Sequence, residues 1–355
     1  MTLNYKPNDI LCAAEVAVND NSCFIDPVLK GYHCIDPHNE SAEWDVQYGK
    51  GTFCFSFAIQ KGEQLKCLRI WKDDNLRLKG LDHIKQVSDF FSQYKIDYVR
   101  EYSYIERAVK LDNGVIIPAV LMDWVKGSTL IDYVRKNYRN STAIQELANK
   151  FFSMCQYHKK YSMAHGDLSA GNIIVQPSGD ICLIDYDTFY FHKFGPSILE
   201  YTKGTPGYQH HERLDSKKII NINSCTDYFS QIVIYLSLIA IAAEPKLFDP
   251  LSDECLLFQG VDLQSQQNLL NSSIYKKVSA IKNEEVQRLL WELVKSIGGP
   301  LVEVRSLVDL KSELNIHLAA KADYCGKCRY HFNNQTDDFC PMCGTRREEL
   351  VWEIV

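Results

Sequence analysis

Polar and apolar positions change rhythm several times along the chain, and each change marks an element. The order Phe55-Ser-Phe57-Ala-Ile59 alternates with period two, and after the turn formers Gln60-Lys-Gly-Glu63 comes a similar run from Gln64 to Lys72. Both read as strands. Leu76 to Phe91 carries apolar residues at 76, 78, 81, 84, 87 and 90–91, which is helical spacing. Val115 to Val125 reads as a further strand, and Ala143 to Tyr161 as a long helix. Ile173-Ile-Val175 and Ile181-Cys-Leu-Ile184 are apolar runs parted by Gln176-Pro-Ser-Gly-Asp180, so they predict a buried hairpin. The strongest apolar run, Ile232 to Ala243, is bounded by Gln231 and Glu244-Pro245. At 12 residues it is too short to span a bilayer and predicts a buried helix.

Charge and composition narrow the functional classes. The 355-residue chain has a net charge of -6, which argues against a constitutive binder of nucleic acid or of anionic membranes. Met1-Thr-Leu-Asn-Tyr-Lys-Pro-Asn-Asp is too polar for a secretory signal, and 13 cysteines without such a signal suggest reduced thiols plus a metal site. A cytoplasmic protein with no membrane association is expected. Cys12, Cys23 and Cys34 match no ligand-pair spacing and read as ordinary thiols.

The chemistry concentrates at the predicted hairpin, which brings Asn172 and Asp185 to one end. An amide and a carboxylate there suit Mg2+, a hard cation that takes few protein ligands and completes its shell with water and phosphate. Asp167, five residues before Asn172 across a loop containing Gly171, is placed to accept a proton from an attacking hydroxyl. These residues predict a phosphoryl-transfer site.

The pattern His165-Gly-Asp167-x4-Asn172, with Asp185 following a strand, resembles the catalytic loop and metal-binding element of protein kinases. Further stretches fall in the order that this resemblance implies. Gly49-Lys50-Gly51-Thr52-Phe53 resembles the glycine-rich loop over the nucleotide, with Cys54 where a third glycine is usual. The strand from Gln64 implies Cys67 in the adenine pocket and Arg69 in the place of the phosphate-binding lysine. Met122 becomes the gatekeeper, and the backbone of Asp123 and Val125 the adenine edge. Gly204-Thr205-Pro-Gly-Tyr208-Gln-His-His-Glu212 resembles the end of the activation segment, which implies a Thr205 to Asp167 hydrogen bond and a Glu212 to Arg305 ion pair. Asp227 is expected to cap backbone N–H groups near the catalytic loop. His210 and His211 stand in this motif and are not expected to bind metal.

The implied fold is α+β: a bilobal protein-kinase-like unit followed by a small zinc ribbon. Its parts are an N-terminal extension at 1–40, an N-lobe at 41–123, a C-lobe at 124–312, a linker at 313–322, the ribbon at 323–346 and a tail at 347–355. Several positions depart from the kinase pattern. Arginine at 69 has a larger, bidentate fork than lysine. Gly166 stands where arginine is usual, Ser169 where lysine is common, and Asp187 where glycine is usual. The helix from Leu76 contains no glutamate to pair with residue 69; Asp82 or Asp89 is available, and Asp82 is favoured.

Cys325-x2-Cys328 and Cys340-x2-Cys343 stand 11 residues apart, and two such knuckles wrap one Zn2+ tetrahedrally. The 24 residues from 323 to 346 are too few for an apolar core, so metal would supply the folding energy. The expected function is an ATP- and Mg2+-dependent serine/threonine kinase acting on a protein substrate, its ribbon docking a protein partner. The alternatives are a nucleotide-binding pseudokinase scaffold and a small-molecule phosphotransferase, the latter disfavoured by the segment from Gly204 to Glu212. The motifs are similar to those of bacterial eukaryote-like kinases, for which the resemblance implies a stress or tellurite-resistance setting beside a von Willebrand A-domain protein and a PP2C-type phosphatase. Metal analysis of the purified chain is expected to find about one zinc per chain, lost when Cys325 and Cys340 are replaced by serine. A chain that folds around no zinc contradicts the ribbon.

Overall fold

The computed structural model describes residues 3–36, 48–50, 53–200, 203–251, 255–319 and 342, with backbone only at 48–50, 76 and 315–319. The order opens with helix α1 (Pro7–Val16), then strands β1 (His33–Cys34), β2 (Tyr48–Lys50), β3 (Cys54–Lys61) and β4 (Gln64–Trp71). Helix α2 (Asp74–Gln93) and strands β5 (Tyr102–Lys110) and β6 (Ile116–Asp123) complete this part. The sheet is antiparallel in the order β1-β3-β4-β6-β5, with β2 also on β3. The two-residue loop Gly62-Glu63 closes the β3–β4 hairpin, and Gly62 takes the positive φ of 58° that the turn needs.

Period-two alternation divides this sheet into two faces. Phe55, Phe57, Ile59, Leu68, Ile70 and Leu121 pack in one cluster with Ile10, Ala13 and Ala14 of α1. Cys54, Trp71, Tyr102, Val120 and Met122 join a second cluster with α2 and the helices that follow. An apolar sheet face has to be covered on both sides unless it meets water. Residues 3–36, expected as an extension, therefore belong to this part: they supply an edge strand and the helix that covers the outer face.

The second part is mainly helical. It runs through β7 (Ser128–Thr129), α3 (Leu130–Asn137), α4 (Ser141–Lys160), β8 (Met163–Ala164), β9 (Ile173–Val175), β10 (Ile181–Leu183), β11 (Tyr190–Phe191), β12 (Ile198–Leu199), α5 (His211–Leu214) and β13 (Asn221–Ile222). Helices α6 (Tyr228–Ala243), α7 (Gln266–Asn271), α8 (Ser273–Val278), α9 (Glu284–Gly298) and α10 (Leu307–Ala319) complete it. Helix α6 is buried on every side from Phe229 to Ile241, as an all-apolar helix must be, and α4, α9 and α10 pack around it. No helix among the described residues is long and apolar enough to cross a membrane.

The linker expected at 313–322 is helical up to 319, as the end of α10. Lys311 fixes this helix to the core by bonding Glu285 and the Tyr235 hydroxyl. Cys325, Cys328, Cys340 and Cys343, the cysteines of the expected zinc ribbon, lie outside the described residues, as do Gly51 and Thr52.

Two imidazoles, half-buried His83 and buried His158, both with ring nitrogens shielded from water, make the fold acid-sensitive. Burial pushes His83 down to about 4 and His158 down to about 3, His165 adding to the effect at His158, whose ring nitrogens find no hydrogen-bond partner. Both are neutral when folded, whereas the unfolded chain takes up protons near pH 6.5. Their contribution is therefore full above pH 6.5 and falls as the pH drops towards 4. Urea unfolding is expected to show a loss of about 2 kcal/mol per imidazole between pH 7.5 and pH 5. His158→Leu is expected to remove one such share, and a pH dependence identical in that variant contradicts the assignment.

Candidate active site

The hairpin β9–β10 pairs Ile173 with Leu183 and Val175 with Ile181, burying both strands. One hydrogen bond beyond the ladder, from the Ile184 N–H to the Asn172 carbonyl at 3.0 Å, fixes Asn172 beside the start of the segment that carries Asp185. Their predicted approach is what the register produces. Asp185 has a φ of 68°, a left-handed conformation that costs a non-glycine residue on the order of 1 kcal/mol. Such strain persists only where surrounding contacts enforce it.

The loop before the hairpin hangs from a buried carboxylate. Asp227 accepts the backbone N–H of His165 at 2.5 Å and of Gly166 at 3.0 Å. Burial pushes this acid up, while His165 and the two N–H groups pull it down. The His165 Nδ1 lies 3.3 Å from the Asp167 N–H and Nε2 2.8 Å from the Ile184 carbonyl, a pattern that assigns the Nε2–H tautomer. His165 thus ties the loop to the hairpin.

Gly166 has a structural reason to differ from the arginine usual in the kinase pattern. Its φ is 82°, and a Cβ there would sit 2.3 Å from the Thr188 carbonyl oxygen. Thr188 closes against the loop and donates its hydroxyl to the His165 carbonyl at 3.1 Å.

Asp167 is gripped from the opposite side. Its Oδ1 accepts the Thr205 N–H at 2.7 Å, and its Oδ2 lies 3.3 Å from the Thr205 hydroxyl. The Asn172 Nδ2 donates to the Asp167 carbonyl at 2.8 Å, which leaves Oδ1 as the amide atom suited to a cation. A carboxylate and an amide oxygen are the donors a hard divalent cation prefers. Among the described residues no group of three or more His, Cys, Asp or Glu side chains is placed to hold a metal.

Arg69 reaches this site from β4. Its Nη1 lies 3.0 Å from the Asp187 Oδ1 and its Nη2 3.1 Å from Oδ2, while Nη2 also lies 2.9 Å from the Asp185 Oδ1. Tyr102 donates its hydroxyl to the Asp187 Oδ1 at 3.3 Å. Burial lowers the Arg69 proton affinity, and the two carboxylates more than offset it, so its pKa is raised. For Asp187 burial dominates and pushes the acid up, against the pull of Arg69. The guanidinium stays ionised and lies within ion-pair distance of both carboxylates.

The remaining predicted residues are distributed as follows. Strand register sets Cys67 opposite Met122 and Arg69 opposite Val120, so these four share one side of neighbouring strands. Asp123 accepts Lys66 Nζ at 2.6 Å, and Val125 is half-buried just beyond β6. Gly49 and Lys50 lie on β2 opposite Ser56 and Phe55, and Phe53 packs against the core shared by both parts.

Two expected pairings are corrected. Asp82 is exposed on α2, and Arg69 takes Asp187 and Asp185 instead, because α2 turns Ile84, Val87 and Phe90 inward. Glu212 accepts the Leu301 N–H at 2.8 Å and pairs with Lys218 at 2.7 Å, whereas Arg305 pairs with Glu313 and approaches Glu292. His210 and His211 each bond a carbonyl of the last turn of α9, Ser296 and Ile297, both at 3.1 Å, and so cap that helix. Asp187 is the site residue that motif reading missed. Its signal was present as an acid in the place of a glycine, in a chain whose helix lacks a glutamate.

Comparison with known proteins agrees with this geometry. Residues 117–193, from β6 to just past β11, match the ABC1 atypical kinase-like domain. A probable serine/threonine-protein kinase of Dictyostelium discoideum is 29% identical over 154 residues, 39% of this chain and 10% of that protein. CBL-interacting serine/threonine-protein kinase 8 of Arabidopsis thaliana is 24% identical over 177 residues, 48% of this chain and 38% of its own length. The chain thus spans well under half the length of either relative. These matches show that the part of the chain carrying the site is similar to protein-kinase-like sequences.

The Gly166 contact yields a direct test. Gly166→Ala puts a methyl group against a backbone oxygen at positive φ, and is expected to lower unfolding stability by about 2 to 4 kcal/mol in denaturant titration. A variant as stable as the parent contradicts the packing described for Thr188.

Proposed function

We propose that the chain is an ATP- and Mg2+-dependent protein serine/threonine kinase whose zinc ribbon docks a protein partner. The observation that carries this reading is the grip of Thr205 on the Asp167 carboxylate, with Asn172 bonded to the same residue and Asp185 held at the neighbouring hairpin end. Asp167 is oriented from two sides, so it can hold a substrate hydroxyl and accept its proton. Asn172 and Asp185 would hold Mg2+, which neutralises charge on the transferring phosphoryl group when bound. Arg69 adds fixed positive charge on the same side of the sheet as Cys67 and Met122, where the adenine and phosphates of ATP would lie. Positioning and preorganised charge would then carry catalysis, as phosphoryl transfer requires.

A second reading, a nucleotide-binding scaffold, has one specific observation in its favour. Arg69 Nη2 lies on Asp185, the carboxylate that the metal requires, so the cation competes with the metal for one oxygen.

Incubation of the full chain with Mg2+, γ-labelled ATP and a generic protein substrate separates the two. Transfer to serine or threonine is expected, reduced about 10²- to 10⁴-fold by Asp167→Asn. Label carried equally by the parent and by Asp167→Asn contradicts the role given to that residue. Nucleotide binding without transfer moves the assignment to the scaffold.

A further inference from the structure

Three departures from the kinase pattern meet in one contact. Residue 69 is arginine, residue 187 is an acid, and α2 brings no carboxylate to the site. Along that helix Asp82 and Asp89 are exposed, and Asp74 is held at its start by Arg77 at 2.7 Å and by the Leu3 N–H at 2.7 Å. The Arg69 fork instead lies flat on Asp187, one nitrogen to each oxygen, with the Tyr102 hydroxyl on the same carboxylate. A planar guanidinium makes this contact with one nitrogen on each oxygen, whereas an ammonium brings a single nitrogen and no fixed fork.

Resting on the kinase reading above, we infer that Asp187 is the positioning residue for Arg69, doing from the segment after β10 what a helix carboxylate would otherwise do from α2. The side chain of Asp187 is 13% exposed and that of Arg69 is 10% exposed, so the contact is shielded from water and directional. Asp185 is 43% exposed and takes a single Arg69 nitrogen, which leaves it the more open of the two acids. The two carboxylates therefore divide the work: Asp187 aims the cation, and Asp185 faces the nucleotide. It follows that the aim of Arg69 is set by the backbone after β10, and rotation of α2 does not switch it.

The test is calorimetric binding of Mg·ATP and of adenosine to the full chain. Adenosine has no phosphates, so the ratio of the two affinities isolates what Arg69 contributes. Asp187→Asn is expected to lower that ratio about tenfold with adenosine affinity unchanged. In an Arg69→Gln background the same substitution is expected to have no further effect, because residues that act through one another are not additive. Replacing both Asp82 and Asp89 by asparagine is expected to leave the ratio as it is.

Equal losses for ATP and adenosine, additive effects of the two substitutions, or a fall in the ratio from the helix acids would each overturn the assignment. If Asp187→Asn does not fold, Arg69→Lys carries the test: it keeps the charge, loses the fork, and is expected to lower the ratio several-fold, and an unchanged ratio overturns the proposal. A parent chain that binds neither ligand removes the kinase reading and this proposal with it. A parent that binds both, with a ratio indifferent to Asp187, removes the proposal alone.

Discussion

The buried carboxylate of Asp227 is the point from which the site is suspended. Helix α6 is an apolar rod whose depth is fixed by hydrophobic burial on all sides, and Asp227 stands at its start with both oxygens turned to the backbone of His165 and Gly166. The position of the core thereby becomes the position of the loop. His165 passes the constraint to the hairpin through the Ile184 carbonyl, the hairpin sets Asn172 beside the start of the Asp185 segment, and Asp185 meets Arg69. Each link is a hydrogen bond or ion pair shielded to some degree from water, where polar groups are costly to leave unpaired. The catalytic candidates are thus held by a continuous polar network set in an apolar surround.

The segment between Asp185 and Thr205 is anchored by packing and pairing. Thr188 occupies the space that a side chain at 166 would need, and β11 pairs with β8, setting Tyr190 opposite Ala164. Further on, Arg213 is fully buried and bonds Glu200 and Gln209, both at 2.5 Å. Breaking such a buried ion pair from one side leaves an uncompensated charge, so it holds its segment firmly. With glycine at 166, the loop offers no arginine beside Asp167 for a phosphate group to recruit.

Much of this could be read from the sequence where the determinants are local. The β9–β10 hairpin follows from two apolar runs around a Pro-Ser-Gly turn, and α6 from an apolar stretch broken at Ser237. Thr205 and Asp227 were found through motif order, and both make the hydrogen bonds expected of them. What could not be read is pairing between distant residues: Arg69 and Asp187 are 118 positions apart, and nothing near either one names its partner. Glu212 and Arg305 take nearer ion-pair partners than each other, Lys218 and Glu313, and only the Leu301 N–H on Glu212 depends on how α5 and the turn at Leu301 approach each other. Helix α1 escaped notice because Ile10, Ala13 and Ala14 are too few and too small to stand out as an apolar face, although the sheet needs them as cover.

The central claim is that a kinase-like site is assembled around Arg69 held by carboxylates of the Asp185 to Asp187 turn. A crystal structure of the full chain with Mg2+ and a non-hydrolysable ATP analogue tests it most directly. The account predicts the metal on Asn172 and Asp185, the phosphates beside Arg69, and the guanidinium fork still flat on Asp187. Nucleotide bound elsewhere, or Arg69 turned away from Asp187 to an acid of α2, would contradict it.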